Sequence, residues 1–134
     1  MTPVTGSEIA LDTNQAIDVL NSTGDSGTWI HTYTRVSDPV PVVGELRFGA
    51  LNSARAESNL KKLEMFLNGC TILPITDDTT RVYAQIRVEL RKKGTPIPAN
   101  DVWIAALSVQ HKIPLATSDS HFGAVDRLTV IPRP

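Results

Sequence analysis

Residues 8–14 have the sequence Glu-Ile-Ala-Leu-Asp-Thr-Asn, in which a short apolar segment runs directly into a carboxylate. The apolar residues predict a brief buried strand that ends at Asp12. Thr13 and Asn14 are small polar residues that favour a helix start, so we expect the chain to turn from strand to helix beside this carboxylate. Because ligands bind outside the carboxyl ends of strands in open α/β sheets, Asp12 is the first candidate for a functional residue.

The length and composition are typical of one globular domain. The chain has 134 residues, of which 41% are hydrophobic, and this is enough for a sizeable core. The formal net charge is -1, so the charge of the whole molecule does not favour binding to nucleic acid or to a membrane. We expect residues 1–7 to form a flexible N-terminal lead-in and residues 8–134 to form a single domain.

Cysteine content and apolar runs bear on where the protein works. The single cysteine, Cys70, excludes an internal disulfide and a cysteine-rich zinc site, and it suits a reducing compartment. The first residues lack the basic and apolar segments of a signal peptide, and no apolar run approaches the ~20 residues that span a bilayer. We therefore expect a cytoplasmic protein that does not contact a membrane.

Short apolar segments alternate with amphipathic ones along the rest of the chain. A short helix is predicted over residues 28–36, and another helix is predicted from about Val43. Four further strands are predicted, at residues 40–43, 70–74, 113–117 and 128–131. This alternation predicts an α/β fold with a central, mainly parallel sheet of about four to five short strands and helices on both faces.

Four carboxylates occupy related positions in this pattern. Three follow predicted strands and one opens the most apolar helix; they are Asp12, Glu45, Asp119 and Asp101. Each alone is explained equally well as a helix cap or a first-turn acid. Together, acids at one edge of a parallel sheet repel one another and need a counter-ion. Mg²⁺ prefers such oxygen ligands, and water bound to it can attack a phosphate.

Several neighbours of these acids are candidates for supporting roles. Asn14, Thr117 and Ser118 each lie within two residues of an acid and could orient it or a bound water. Capping is the commoner role for an asparagine in the position of Asn14. Arg47 could contact a substrate phosphate, although a solvated surface arginine is about as common.

Other catalytic schemes lack essential parts. The histidines, His31, His111 and His121, show no metal-ligand spacing. The sequence contains no glycine-rich phosphate loop. Cys70 precedes apolar residues of a predicted strand and is interpreted as a core residue.

Four motifs carry a family resemblance. Asp12 lies in Leu-Asp-Thr-Asn (11–14), and Glu45 in Gly-Glu-Leu-Arg-Phe-Gly-Ala (44–50). Asp101 and Asp119 lie in Pro-Ala-Asn-Asp-Val-Trp-Ile-Ala-Ala (98–106) and Ala-Thr-Ser-Asp-Ser-His-Phe (116–122). In this order and spacing the motifs resemble the PIN-domain family, and most closely the VapC-type toxins of bacterial type II toxin–antitoxin systems. The resemblance covers residues 8–134.

The resemblance implies a PIN-like three-layer fold and a Mg²⁺- or Mn²⁺-dependent endoribonuclease that cuts RNA, often tRNA or rRNA. It further implies a VapB-like antitoxin that wraps the protein near its active site, and a homodimer. The family's metal-binding and catalytic quartet corresponds to Asp12, Glu45, Asp101 and Asp119. Thr117 or Ser118 corresponds to the hydroxyl residue that precedes the last acid.

Three other functions remain open from the sequence. A metal-dependent phosphatase of the haloacid-dehalogenase type would need a second aspartate at position 14, where this chain has Asn14. A receiver domain would need a paired acid early in the chain and a lysine after the last strand. A PIN-like binding module without catalytic turnover would tolerate loss of the acidic quartet, which this chain retains.

Overall fold

Five parallel strands form the central sheet of the computed structural model, which describes residues 7–22 and 28–132. The strands are Glu8–Leu11 (β1), Arg35–Pro39 (β2), Thr71–Leu73 (β3), Leu115–Ala116 (β4) and Val130–Ile131 (β5). Their order in the sheet is β3-β2-β1-β4-β5, and every neighbouring pair is parallel. The predicted α/β fold with four to five short strands is confirmed.

Five α-helices connect the strands. They are Thr13–Asn21 (α1), Val40–Leu51 (α2), Ala56–Asn68 (α3), Asp77–Lys93 (α4) and Ala99–His111 (α5). Helices α1, α2 and α3 contact one another, and α4 packs along α5. The chain moves outward from β1 to β3 and then crosses back to β4 on the other side of β1. The carboxyl ends of β1 and β4 therefore form the topological switch point, where α/β folds bind their ligands.

The register of β1 aligns the first acid with the end of β4. Ile9, Ala10 and Leu11 are completely buried, because β1 is the central strand and has helices on both sides. Leu11 pairs with Ala116, and the backbone N–H of Asp12 donates to the carbonyl of Ala116 at 3.2 Å. Asp12 therefore leaves the sheet beside Thr117.

The second strand and the helix after it differ from the sequence prediction. The predicted helix over 28–36 is limited to a 3₁₀ helix at Thr28–Thr32, and Arg35–Pro39 is a strand instead. The predicted extended piece at 40–43 is the first turn of α2. The strand was missed because its centre is polar: Ser37 and Asp38 are both fully buried, so no apolar pattern marks it.

Hydrogen bonding between the first two strands begins at Ser7, one residue before β1. The carbonyl of Ser7 accepts hydrogen bonds from the backbone N–H groups of Thr34 (2.9 Å) and Arg35 (3.3 Å). Residues 1–6 of the predicted lead-in lie outside the described residues.

In the described part of the chain, no helix has the length and apolar character needed to cross a membrane.

Asp38 is a buried acid in the interior of the sheet. It pairs in register with Ile72 of β3, and neither carboxylate oxygen has a hydrogen-bond partner among the described residues. Burial raises the pKa of Asp38 to about 6, and the nearby thiol of Cys70 offsets this only in part. That thiol donates instead to the carbonyl of Phe66 at 3.4 Å. Burial, followed by the charge of Asp38, raises the pKa of Cys70 as well.

Asp38 should make the stability of the protein depend on pH. Its pKa in the folded state is about 6, above the ordinary value of 3.8, so its contribution to stability is full below pH 3.8 and is lost as pH rises through 6. The expected loss is about 3 kcal/mol by linkage. We predict that Asp38→Asn raises the free energy of unfolding at neutral pH and has little effect at about pH 4, as measured by urea unfolding.

The control for this comparison is Asp126→Asn, because Asp126 is an exposed acid paired with Lys93. Such surface pairs contribute about 0–1 kcal/mol. A difference between Asp38→Asn and the wild type that is the same at every pH would show that the carboxylate of Asp38 is not the titrating group.

Candidate active site

Three aspartates meet at the carboxyl edge of the sheet. Asp12 directly follows β1, Asp101 lies in the first turn of α5, and Asp119 follows β4 by three residues. The negative charges of Asp101 and Asp119 both contribute to raising the pKa of Asp12. The structure thus places Asp12, Asp101 and Asp119 near one another, although they lie far apart in the sequence. The predicted parallel sheet groups Asp12 with Glu45 and Asp119, whereas Asp101 reaches this edge from the first turn of α5.

Asp12 is held in a fixed orientation. Its side chain is only 7% exposed. One carboxylate oxygen, Oδ1, accepts from the backbone N–H of Thr13 at 2.6 Å, and the other, Oδ2, accepts from the hydroxyl of Thr117 at 2.6 Å. Burial raises the pKa of Asp12, while the two hydrogen bonds oppose that rise. Asp12 is therefore the N-cap of α1 and a member of the acidic cluster at the same time.

Thr117 links two of the acids. Its hydroxyl donates to Asp12 and accepts from the backbone N–H of Asp119 at 3.0 Å. The next residue, Ser118, accepts at its hydroxyl from the side-chain amide of Gln15 at 3.1 Å. Thr117 thus contacts an acid, whereas Ser118 contacts Gln15 of α1. Their roles in supporting a metal site stay predictions.

Gln15 was not singled out in the sequence. It is 2% exposed, and its amide oxygen has no hydrogen-bond partner among the described residues. Its position three residues after Asp12 places it on the same face of α1, and this spacing was the available signal. The wall of the site therefore contains a buried acceptor that could hold a water or a hydroxyl group.

His121 joins the acids in a way that the sequence analysis did not anticipate. Its Nδ1 lies 3.0 Å from Oδ2 of Asp101 and 3.3 Å from Oδ1 of Asp119. Its backbone N–H also donates to Oδ1 of Asp119 at 2.9 Å. One ligand atom from each of these three residues lies within 4.8 Å of the others. His121 was excluded because its sequence spacing matches no metal motif, but the convergence arises only on folding.

Glu45 differs in position from the sequence prediction. It does not follow a strand directly, because β2 ends at Pro39 and α2 begins at Val40. It is an exposed residue of α2, and it borders a groove between α1, α2 and α3. No hydrogen bond or ion pair that joins Glu45 to the three aspartates is found in the described part of the chain.

The two remaining candidates lie on the surface. Arg47 forms a two-point interaction with Glu64, with Nη2 3.0 Å from Oε1 and Nε 3.4 Å from Oε2. Its role as an RNA contact stays a prediction, since the guanidinium would have to exchange a carboxylate for a phosphate. Asn14 is exposed in the first turn of α1, and the capping oxygen comes from Asp12 instead.

The donor groups of the cluster fit a hard divalent cation. Carboxylates at close range repel one another, and Mg²⁺ or Mn²⁺ relieves this by binding their oxygens. Asp12, Asp101 and Asp119 would supply oxygen ligands. The orientation of Asp12 by Thr13 and Thr117 is the kind of support that metal ligands receive from surrounding residues.

Comparison with known proteins identifies the family of this chain. The sequence model of the PIN domain matches residues 9–128. The chain belongs to the PIN-domain family. Among its relatives is Ribonuclease VapC5 of Mycobacterium tuberculosis, 33% identical over 94 residues that cover 69% of this chain and 70% of the relative. The fold class and family that the motifs implied are confirmed.

Solved structures of VapC-type PIN domains are also similar to this chain. VapBC2 from Rickettsia felis, bound to a DNA fragment from its promoter, matches with a TM-score of 0.85 and 26% identity over 95% of this chain and 99% of the other. VapBC-5 from Mycobacterium tuberculosis, a member of the VapBC family of toxin–antitoxin systems, matches with a TM-score of 0.73 and 30% identity over 94% and 98% of the two chains.

In this PIN domain the hydroxyl of Thr117 should be necessary for tight metal binding. The hydrogen bond from Thr117 lowers the pKa of Asp12 and so favours the ionised form that binds a metal. We predict that Thr117→Val weakens binding of Mn²⁺ by about 10-fold or more, the usual effect of losing a residue that orients a ligand. Calorimetric titration measures this, and Thr117→Ser is the control because it keeps the hydroxyl. Equal affinities for the valine and serine variants would contradict the proposed role.

Proposed function

We propose that this protein is a metal-dependent endoribonuclease, the toxin of a VapBC-type toxin–antitoxin system. The observation that carries the proposal is the position of Asp12 at the switch point of the sheet, close enough to Asp101 and Asp119 that their charges raise its pKa in addition to burial. Asp101 and Asp119 in turn have carboxylate oxygens within 4.8 Å of each other. The name and family of the similar proteins support RNA as the substrate. Mg²⁺ or Mn²⁺ is the proposed cofactor, and tRNA or rRNA is the proposed class of target.

Asp12, Asp101 and Asp119 would hold the metal, with Glu45 as the fourth member of the quartet. When bound, a divalent metal supplies an activated water and neutralises the charge that develops on the scissile phosphate. Thr13 and Thr117 keep the carboxylate of Asp12 oriented, because a rotated carboxylate would leave a buried, unpaired charge. Glu45, on α2, would complete the site from the side of the groove.

Two alternative functions are less well supported. A metal-dependent phosphatase of the haloacid-dehalogenase type would need an aspartate at position 14, and the chain has an exposed asparagine there. A PIN-like binding module without turnover would not require a buried Asp12 whose pKa is raised by burial and, to a smaller extent, by the charges of Asp101 and Asp119. The cleavage experiment separates the enzyme from both.

Asp12 should be essential for RNA cleavage but not for folding. We predict that antitoxin-free protein converts total cellular RNA to discrete fragments with Mg²⁺ or Mn²⁺, and that EDTA or Asp12→Asn removes this activity. Because asparagine is also a good N-cap and the substitution relieves repulsion by Asp101 and Asp119, the free energy of unfolding should stay the same or rise.

The matched control is Asp78→Asn, which removes an exposed acid on α4 that is paired with Arg81. It should cut RNA like the wild type. Intact RNA in every lane, together with tight binding of a partner protein, would favour the binding module. Fragments that persist in the Asp12→Asn variant, in the same pattern and with the same need for metal, would contradict the essential role of Asp12.

A groove between the first three helices is the proposed site for the antitoxin. The groove has a volume of about 250 Å³ and is lined mainly by apolar residues, Ile17, Leu20, Leu46, Ala50 and Leu63. Glu45 also lines it, so a segment bound there would contact the proposed fourth member of the acidic quartet. We propose that an apolar segment of a VapB-like antitoxin occupies this groove and blocks the access of RNA.

Two glycines of α2 allow a controlled test of the groove. Gly49 lines the groove and Gly44 does not, and a Cβ atom added at either position meets nothing within 4 Å. We predict that Gly49→Lys weakens binding of the cognate antitoxin at least about 10-fold, because the long side chain would occupy the groove that the antitoxin segment needs. Gly44→Lys should bind normally. Equal affinities for the two variants in a calorimetric titration would place the antitoxin elsewhere.

Two further features belong to this proposal. A cytoplasmic location suits an enzyme that acts on cellular RNA and a chain with one half-buried cysteine. A homodimer is expected from the family resemblance, and sedimentation of the antitoxin-free protein would determine it.

A further inference from the structure

His121 lies among the carboxylates of the proposed metal site, with an imidazole nitrogen directed at two of them. Nδ1 is 3.0 Å from an oxygen of Asp101 and 3.3 Å from an oxygen of Asp119. The acidic quartet of the proposed function does not include this residue. We propose that His121 is a metal ligand through Nδ1, and that it makes the site bind Mn²⁺ more tightly than Mg²⁺. This inference rests on the proposed metal-dependent function.

The distances between the donor atoms match those of one coordination sphere. Octahedral sites with bonds of about 2.0–2.1 Å place neighbouring donor atoms roughly 3.0 Å apart. The separations of 3.0 and 3.3 Å between Nδ1 and the two carboxylates agree with this value. The oxygens of Asp101 and Asp119 lie within 4.8 Å of each other, so all three side chains can direct a donor atom at one cation.

The backbone holds the imidazole in place. Asp119 caps the short 3₁₀ helix Ser120–Ala124 by accepting from the backbone N–H of His121. The next residue, Phe122, is completely buried and anchors this helix in the core. The side chain of His121 is 48% exposed and that of Asp101 is 17% exposed, so the proposed site is open to a cation from solvent.

An imidazole nitrogen changes which cation is favoured. Carboxylates and water suit both Mg²⁺ and Mn²⁺, while imidazole suits first-row transition metals, of which Mn²⁺ is the weakest binder in the Irving–Williams order and Mg²⁺ is not a member. Replacing one oxygen ligand by Nδ1 of His121 should therefore favour Mn²⁺ over Mg²⁺. The alternative role for His121 is that of a protonated counter-ion between Asp101 and Asp119, which a metal would displace.

The two roles differ in how loss of the imidazole changes metal binding. We would titrate antitoxin-free wild-type protein, His121→Ala and His111→Ala with Mn²⁺ and with Mg²⁺ by calorimetry. His111→Ala is the matched control because His111 is an exposed histidine at the end of α5. If His121 is a ligand, His121→Ala should bind Mn²⁺ about 10-fold or more weakly than the wild type, and its affinity for Mg²⁺ should fall less. Unchanged or increased Mn²⁺ affinity in His121→Ala would overturn the inference.

Pulsed electron paramagnetic resonance of the Mn²⁺-loaded protein gives a direct readout. A ¹⁴N coupling of a bound imidazole should be present in the wild type and in His111→Ala and absent in His121→Ala. Its absence from the wild type would overturn the inference. Nitrogen coupling without RNA cleavage would support His121 as a metal ligand and contradict the proposed nuclease function. Cleavage that needs metal and Asp12, without nitrogen coupling, would support the nuclease function and contradict His121 as a ligand.

Discussion

Parallel pairing of β1 with β4 is the constraint on which the rest of the site depends. It aligns Leu11 with Ala116 and thereby sets the carboxylate of Asp12 against the hydroxyl of Thr117 at 2.6 Å. A shift of one residue in this register would turn Asp12 to the other face of the sheet. The completely buried residues of β1 oppose such a shift, so the hydrophobic core of the sheet positions the acid.

The charges of Asp12, Asp101 and Asp119 repel one another at the carboxyl edge of the sheet, and this repulsion opposes folding. Burial raises the pKa of Asp12, and the nearby charges of Asp101 and Asp119 raise it further. Two hydrogen bonds, from Thr117 and from the backbone of Thr13, offset part of this cost. Asp38 is a different kind of buried acid, because its oxygens lack any partner among the described residues and its pKa reaches about 6. A cation at the active site would relieve the repulsion there and leave Asp38 unaffected.

Helix α2 connects the proposed catalytic site with the proposed partner site. It starts at the carboxyl end of β2, and its residues Glu45 and Gly49 both line the groove against α1 and α3. A segment bound in the groove would therefore lie beside Glu45, the proposed fourth member of the metal site. If Glu45 does belong to that site, as we propose, an antitoxin in the groove and RNA at the site would compete for the same side chain.

The sequence by itself determined the α/β fold and the central strand, because alternating apolar and amphipathic segments are local patterns. It also singled out Asp12 and Asp119, which follow predicted strands, and Asp101, which opens an apolar helix. It did not reveal β2, since Ser37 and Asp38 interrupt the apolar pattern of a strand that is nevertheless buried between β1 and β3. Only the tertiary structure placed His121 against Asp101 and Asp119, and Gln15 against Ser118. These contacts join segments that are distant in the chain, and only the packing of the strands and helices specifies their distances.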